Sequence, residues 1–247
     1  MAVMDFLAEN KNTLFCEDLF NHCLLYDLKL ASIEAKGQAL LSYNCEVDHD
    51  GFDVILDDRD NLKKIQLKTS SAKSSTESWA IHRNILRPPA FILETLGFEP
   101  CVPWGVGGGV LLIVYDMVCN KEQKRDRLVV EYYYSDILVI TAIALGMLSR
   151  KSATIEAAKN LRANLFKGMS NDKIDVAFGL FIKAATPRHL LALIGLQHEF
   201  HGDWRNIVLK TASGKWEAKS PVSSKEVESH IKCFTEDMRQ FCGHDSP

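Results

Sequence analysis

The sequence predicts an α/β protein in which strands come early in the chain and helices late. Short alternating runs rich in Val, Ile, Leu and Tyr cluster before residue 135, and apolar residues recur with a helical period after it. The chain has 247 residues, of which 47% are hydrophobic and 25% charged, as in globular proteins with a substantial core. We therefore expect an α/β core over residues 1–135. A mainly helical subdomain over residues 136–247 either stands apart or packs with the core as one unit.

Charge and cysteine usage narrow the class of protein. The formal net charge of -3 supplies no overall positive field, so any nucleic-acid binding must use a local basic patch. Seven cysteines occur without a CxxC pair, and the N-terminal residues do not resemble a signal peptide. These features predict reduced thiols in a cytoplasmic protein. The longest apolar run, residues 137–148, is too short to span a bilayer, so we expect a buried element there and no membrane partner.

The first predicted element is a helix over residues 13–30, followed by a strand over residues 40–47. The apolar stripe of the helix comprises Cys16, Leu19, Phe20, Cys23 and Leu24. Glu17 lies on the shoulder of this stripe, whereas Asp18 points to the opposite side. A carboxylate in the position of Glu17 either faces a cleft or is a solvated acid favoured near a helix N-terminus. Helix geometry alone favours the solvated interpretation.

Residues 51–70 predict a β-hairpin, because two alternating runs flank a polar connector rich in Asp, Arg and Asn. If the turn centres on Arg59 and Asp60, then Asp53 lies directly opposite Gln66. Side chains two residues apart on a strand share a face. One face of the hairpin then carries Asp53, Gln66 and Lys68, and the other carries Phe52, Val54, Ile65 and Leu67.

The middle of the chain predicts further strands. Residues 71–78 form a polar loop, and residues 79–83 alternate as a strand before two prolines end regular structure. The glycines at 105–109 do not fit a dinucleotide-binding loop, because Val110 stands where the third glycine is required and a strand-like run follows. They therefore lead into a buried strand. A second strand over residues 127–134 follows a polar turn at 121–127.

The remainder of the chain predicts mainly helices. They cover residues 152–166 with Gly168 as the C-cap, 174–185, and 188–196 with Thr186 as N-cap and Pro187 at the first helical position. Residues 204–216 predict a hairpin. The last helix begins at Ser223, and Glu226 completes its capping box.

The polar face of the hairpin has the side chains of a hard-cation site. Mg²⁺ prefers oxygen ligands, which the Asp53 carboxylate, the Gln66 side-chain carbonyl and the Leu67 backbone carbonyl can supply. Lys68 cannot bind a cation while protonated, but it can orient or deprotonate an attacking water and stabilise negative charge. Glu17 would complete the site. The alternative is an edge hairpin with a solvated outer face, in which Asp53 pairs with Lys68.

The order of Asp53, a short connector and the triplet Gln66-Leu67-Lys68 resembles the PD-(D/E)XK nuclease superfamily in its Gln-x-Lys variant. The wider pattern GFDVIL…KKIQLKTS is similar to members linked to restriction and defence. The resemblance covers residues 13–135. It implies a restriction-endonuclease-like core with a central mixed sheet flanked by helices. It also implies that Asp53, Gln66 and Glu17 hold Mg²⁺, for which Mn²⁺ can substitute, and that Lys68 acts on the attacking water.

The chain departs from the superfamily pattern at two positions. Phe52 stands where the motif has proline. Gln66 stands where an acid is commoner, which removes one negative charge from the metal site and leaves the number of metals open. The helical acid has no local signature, so Glu34 is an alternative to Glu17.

Five basic residues near the hairpin are candidate DNA contacts. They are Lys64, Lys73, His82, Arg83 and Arg87. Such residues either bind phosphates, which positions a duplex without reading its sequence, or are solvated charge. The resemblance implies a Mg²⁺-dependent DNA endonuclease, whose C-terminal half serves target recognition or forms a homodimer. The alternatives are a catalytically inactive nuclease-fold binding or scaffold protein, and an unrelated α/β enzyme with its site in the glycine loop or the C-terminal half.

Overall fold

The computed structural model describes residues 3–44, 51–98, 104–120, 125–167, 173–196 and 204–214, together with residues 228–229, 232, 234–236 and 238–240. Several sequence predictions fall outside these residues, wholly or in part. They are the end of the strand over 40–47, the turn at 121–127, the C-cap at Gly168, the end of the 204–216 segment and the capping box of Ser223 and Glu226.

Helices and strands follow one another in irregular order along the described residues. The helices are α1 (Val3–Ala8), α2 (Thr13–Lys36), α3 (Arg83–Leu86), α4 (Ile137–Ala144), α5 (Ser152–Asn164), α6 (Pro187–Ile194) and α7 (Trp204–Ser213). The strands are β1 (Leu41–Asn44), β2 (Val54–Asp57), β3 (Leu62–Ser71), β4 (Ser78–His82), β5 (Gly109–Asn120), β6 (Arg125–Asp136), β7 (Lys173–Ala177) and β8 (Ile182–Lys183). Short 3-10 turns occupy Asn10–Asn12, Ala90–Ile92 and Phe178–Leu180.

Six strands form one mixed sheet in the order β1-β2-β3-β5-β6-β8. β3 and β5 run parallel, and the other neighbouring pairs in this sheet are antiparallel. A parallel pair requires a crossover connection, and the segment between β3 and β5 supplies it, carrying β4 and α3. β4 pairs with β7 in a separate two-stranded sheet. The predicted α/β class, with a mixed sheet flanked by helices, is confirmed.

Helix α2 covers one face of the large sheet. Its buried stripe consists of Cys16, Phe20, Leu24, Leu28 and Ala31. The ring of Phe20 stacks on that of Tyr115 in β5, with centroids 4.4 Å apart, and the hydroxyl of Tyr132 in β6 donates to Asp27 at 2.6 Å. The helix extends six residues beyond its predicted end. It ends where Gly37 adopts the left-handed conformation (φ 64) and its N–H donates to the Ile33 carbonyl at 2.8 Å.

Helix α4 is buried at every position and is fixed by Asp136 at its N-terminus. One oxygen of Asp136 accepts from two backbone N–H groups of α4, and the other accepts from the Tyr134 hydroxyl at 2.9 Å and from Arg205 at 2.7 Å. Arg205 belongs to α7, so this fully buried carboxylate ties α7 to the end of β6. α4 has 8 residues, and no helix within the described ranges is both long and apolar enough to cross a membrane.

The C-terminal half is mainly helical, but two predictions there are wrong. Residues 174–185 form β7, a 3-10 turn and β8 in place of a helix, because Ile174 and Val176 alternate and pair with β4. The segment beginning at Trp204 is the helix α7, because Trp204, Ile207 and Val208 form a helical buried stripe. The second half therefore contributes strands to both sheets. The helix α6, with Thr186 as its N-cap, is confirmed.

Candidate functional site

The hairpin of β2 and β3 has the predicted register. Val54 pairs with Ile65, and the N–H of Asp53 also donates to the Ile65 carbonyl at 2.9 Å, so both residues lie against Ile65 where β2 begins. The turn is built by aspartates: Asp57 accepts from the N–H of Arg59 at 2.7 Å, and Asp58 accepts from two further N–H groups of the turn. Arg59 takes a positive φ of 74°. Short local hydrogen bonds of this kind fix the turn and hence the register.

Asp53 is directed at the middle of β3. Its side chain is exposed, and its Oδ2 accepts a hydrogen bond from the Leu67 N–H at 2.5 Å. The N–H and C=O of one strand residue point to the same edge of the strand. The Leu67 carbonyl therefore points to the edge on which the Asp53 carboxylate lies. The Leu67 side chain packs against the core on the other face from Gln66 and Lys68.

Gln66 is buried, with 8% of its surface exposed, and its environment differs from the solvated face that the hairpin alone predicts. Its Oε1 accepts a hydrogen bond from the backbone N–H of His82 at 3.0 Å. A backbone N–H can only donate, so this bond fixes the orientation of the Gln66 amide. The reason for the burial is the crossover, which lays the corner between β4 and α3 over this face of the sheet.

Lys68 is half-buried and lies on the same sheet face as Gln66. In the parallel register, Gln66 is level with Val110 and Lys68 with Leu112 of β5. Gln66 and Lys68 therefore share one face of β3, and the Asp53 carboxylate contacts the backbone of Leu67 between them. We call these four residues the hairpin site.

Glu17 does not join the hairpin site. It is an exposed residue on α2, one turn before Phe20, and Phe20 packs on Tyr115. Tyr115 is level with Ser71 and lies on the opposite sheet face from Gln66. It also lies five positions, or about 16 Å, along β5 from Val110. Glu34, the alternative helical acid, also lies on α2. It is nearer the C-terminus of this helix than Asp27, the residue that contacts β6. The order of acids along the sequence matched the superfamily, but the three-dimensional packing places α2 on the other side.

Arg83 and Arg87 donate hydrogen bonds to backbone carbonyls at the C-terminal end of α5. Arg83 donates to the carbonyls of Asn164, Leu165 and Lys167, and Arg87 donates to the Leu165 carbonyl at 3.0 Å. Arg87 is 7% exposed. The last carbonyls of a helix lack partners within it and carry partial negative charge, so cations are favoured there. The arginines and the carbonyls that they contact are some 80 residues apart in the sequence, so no local sequence pattern could predict this contact.

The other candidate DNA contacts lie in different surroundings. His82 caps α3, its Nδ1 accepting from the Asn84 N–H at 3.3 Å. Lys73 is exposed and forms an ion pair with Asp116 at 3.5 Å. Lys64 is half-buried on β3, and its ammonium lies 4.8 Å from the centre of the Phe52 ring. Among the five basic residues, Lys64 is the one that adjoins the hairpin site and also lies on its strand.

A cleft that the sequence did not predict opens between α5 and β7. Its volume is about 630 Å³, and its polar lining residues are Arg83, Asn160, Asn164, Lys167, Lys173 and Asp175. The cleft was missed because one of its walls is the strand β7. The apolar content of residues 174–185 had predicted a helix there. The alternation of Ile174 and Val176 was the available signal.

No known protein family matches the chain, and no curated protein matches it at a significant level. The hairpin site is therefore interpreted from its own geometry and chemistry.

Proposed function

We propose that the chain is a divalent-cation-dependent DNA endonuclease with its catalytic centre at the hairpin site, acting in restriction or defence. The observation that carries the proposal is the hydrogen bond from the Leu67 N–H to the Asp53 carboxylate. It brings a carboxylate to the strand segment that also holds Gln66 and Lys68. A carboxylate can bind a divalent cation, and a lysine on the same strand segment can orient a water toward a phosphodiester.

The donor set fits a hard cation such as Mg²⁺ or Mn²⁺. The Asp53 carboxylate and the Leu67 carbonyl share one strand edge, and both are oxygen donors. The Gln66 carbonyl oxygen has two lone pairs, of which the His82 N–H uses one. Within the described ranges, no group of three or more His, Cys, Asp or Glu side chains forms a metal cluster. A bound cation would supply Lewis-acid stabilisation of the charge that develops on the phosphate.

Lys68 positions the attacking water and stabilises charge in the proposed reaction. Its ammonium orients a water for attack on the phosphorus atom and stabilises the negative charge that grows on the non-bridging oxygens. The proton that the water loses passes to solvent, and the leaving oxygen takes a proton from solvent as its bond to phosphorus breaks. Asp53 holds the site in register through its bond to the Leu67 backbone. The Gln66–His82 bond keeps the Gln66 side chain fixed, so little ordering is needed when a substrate binds.

A second candidate function is a nuclease-fold binding protein without cleavage activity. Two observations favour it: the Gln66 oxygen is already hydrogen-bonded to His82, and Glu17 lies on the opposite face of the sheet. Under this alternative the hairpin site holds no cation, and Lys68 serves to bind phosphate.

Cleavage assays separate the two functions. We expect the purified chain with Mg²⁺ or Mn²⁺ to cut plasmid, linear or single-stranded DNA. The substitutions Asp53→Asn and Lys68→Ala should each abolish cutting while the protein stays folded. Lys159→Ala is the matched control, because Lys159 is an exposed lysine that pairs with Glu156 on α5. No cutting by the wild type, or normal cutting by both site variants, would refute the nuclease proposal.

A further inference from the structure

We propose that Phe91 and Trp104 form a stacking surface for unpaired bases, which we call the aromatic margin, beside the hairpin site. The proposal rests on the proposed nuclease function and names its substrate class: single-stranded or locally unpaired nucleic acid. It also gives a role to the glycine-rich segment 105–109, which the proposed reaction leaves unused.

Both rings are largely open to solvent. Trp104 is 63% exposed and Phe91 is 83% exposed, whereas the core residue Trp204 is 3% exposed. Single exposed apolar residues are common on protein surfaces, but large aromatic rings are usually mostly buried. Exposed aromatic faces beside a cationic strand are the feature with which proteins bind single strands, because every base offers a face for stacking.

Trp104 and Phe91 lie at the same end of one pair of hydrogen-bonded segments. The N–H of Gly105, the residue after Trp104, donates to the Pro88 carbonyl at 3.0 Å. The N–H of Gly107 donates to the Arg87 carbonyl at 3.1 Å. The segment that begins at Trp104 therefore runs along the segment that leads into Phe91. The two aromatic residues belong to the same margin of the molecule.

The glycines allow the two segments of this margin to pack tightly. A Cβ at Gly105 would lie 2.4 Å from the Arg87 Cβ, and a Cβ at Gly107 would lie 2.5 Å from the Cδ of Pro89. Gly107 also has a positive φ of 61°. Only glycine allows the two segments to approach so closely. A platform that is already fixed loses little conformational entropy when a base stacks on it, which favours binding.

The same segment leads directly to the hairpin site. A Cβ at Gly108 would lie 2.3 Å from the Lys64 carbonyl oxygen, so this glycine packs against β3. Two residues later, Val110 is level with Gln66. Lys64 thus stands between the aromatic margin and Gln66, where its ammonium can contact the phosphate backbone of a strand. A duplex keeps its base faces stacked internally, so this combination favours unpaired bases.

The test measures binding without cleavage. The parent protein carries Asp53→Asn and is kept in EDTA, and its affinity for a fluorescent single-stranded oligonucleotide is compared with that for the matching duplex. We expect tighter binding of the single strand. Trp104→Ala and Phe91→Ala should each weaken it about tenfold, and Trp104→Tyr, which keeps an aromatic ring, should largely restore it. Tyr26→Ala is the control, because Tyr26 is 68% exposed on α2, across the sheet.

Three results would overturn the inference: no oligonucleotide binding, tighter binding of the duplex, or unchanged affinity in both alanine variants. Unchanged affinity would point to a protein as the occupant of the margin. Failure of the nuclease proposal would give a different combination of cleavage and binding results. If the wild type cuts no nucleic acid but the alanine variants lose single-strand binding, the aromatic margin stands and the catalytic centre does not. If the wild type cuts and the variants bind normally, the reverse holds.

Discussion

The side-chain oxygen of Gln66 accepts a hydrogen bond from the backbone N–H of His82 at 3.0 Å. This bond joins the centre of β3 to the start of α3. His82 in turn leaves no room for a side chain at Gly51, where a Cβ would lie 2.2 Å from the His82 Cβ. Gln66 therefore has a structural role whatever its role toward a cation, and substitutions can separate the two.

Removing the acceptor should destabilise the fold. Gln66→Leu keeps a similar volume but leaves the half-buried His82 N–H without its partner, which costs about 1–3 kcal/mol. Urea denaturation of the wild type and the variant measures this difference. Gln66→Glu is the control, because a carboxylate oxygen still accepts the bond and should retain most of the stability. A leucine variant as stable as the wild type would show that the bond contributes nothing.

Adding a charge at the same position should strengthen cation binding. Gln66→Glu places a second carboxylate beside Asp53, and affinity for hard cations rises with the number of charged oxygen ligands. We expect calorimetry with Mn²⁺ to show severalfold tighter binding than in the wild type. Gln38→Glu, at an exposed glutamine beyond α2, is the matched control and should leave the affinity unchanged. Equal Mn²⁺ affinities in the wild type and both variants would show that the cation does not bind at the hairpin site.

The ion pair between Arg205 and Asp136 should be essential for stability. The Asp136 side chain is 1% exposed and that of Arg205 is 14% exposed, with 2.7 Å between the paired atoms. Arg205→Met leaves the Asp136 carboxylate buried without its cation, which costs about 3–5 kcal/mol. The surface pair of Lys159 and Glu156 gives the comparison: Lys159→Ala should cost less than about 1 kcal/mol. Similar losses in the two variants, measured by thermal or urea unfolding, would contradict this prediction.

Glu131 should contribute to the loss of stability in acid. Burial raises the pKa of its carboxyl, but hydrogen bonds from Lys183 and Tyr133 outweigh burial and hold the pKa below its ordinary value of 4.5. Because the folded-state pKa is the lower one, Glu131 stabilises the fold above pH 4.5, and this contribution is lost as pH falls through the folded value. Glu131→Gln and Lys183→Met should both reduce the loss of unfolding free energy that occurs as the pH falls below neutral. If neither variant changes this loss in urea unfolding at a series of pH values, Glu131 does not contribute to it.

Two glycines with similar backbone conformations should differ in their tolerance of alanine. Gly107 (φ +61) lies against Pro89, whereas a Cβ at Gly146 (φ +69) meets nothing within 4 Å. Both substitutions incur the backbone strain of a positive φ, about 1–2 kcal/mol. Gly107→Ala adds overpacking, about 1–3 kcal/mol more. Comparison of the two unfolding free energies isolates the packing term, and equal values would show that the loop can move aside.

The hairpin register was predictable because its causes are local. Asp57 and Asp58 accept hydrogen bonds from N–H groups within the turn, and the register follows from where the turn sits. The pairing of Val54 with Ile65, which the predicted turn requires, could therefore be predicted from the sequence and is confirmed, whereas the pairing of Asp53 with Gln66 stays a prediction.

The surroundings of the hairpin could not be predicted, because they depend on contacts between residues that are far apart in the sequence. Gln66 is buried by His82, which arrives through the crossover, and α2 lies on the face away from Lys68. Arg83 and Arg87 bind the end of a helix far along the chain. These contacts join distant residues, and neither apolar periodicity nor turn chemistry contains information about them. The strand β7 was missed because its partner, β4, is equally distant.

The parallel pairing of β3 with β5 gives the hairpin site an order of assembly. The hairpin joins near neighbours, and hairpins form within about 1–10 μs. The parallel pair aligns Gln66 with Val110, which requires closing the long loop of the crossover, and such non-local pairing is slower. The bond between Asp53 and Leu67 therefore belongs to an early folding event, and the bond between Gln66 and His82 to a late one. A nascent chain that has emerged only as far as β3 already contains every residue of the hairpin site, before the corner that covers Gln66 exists.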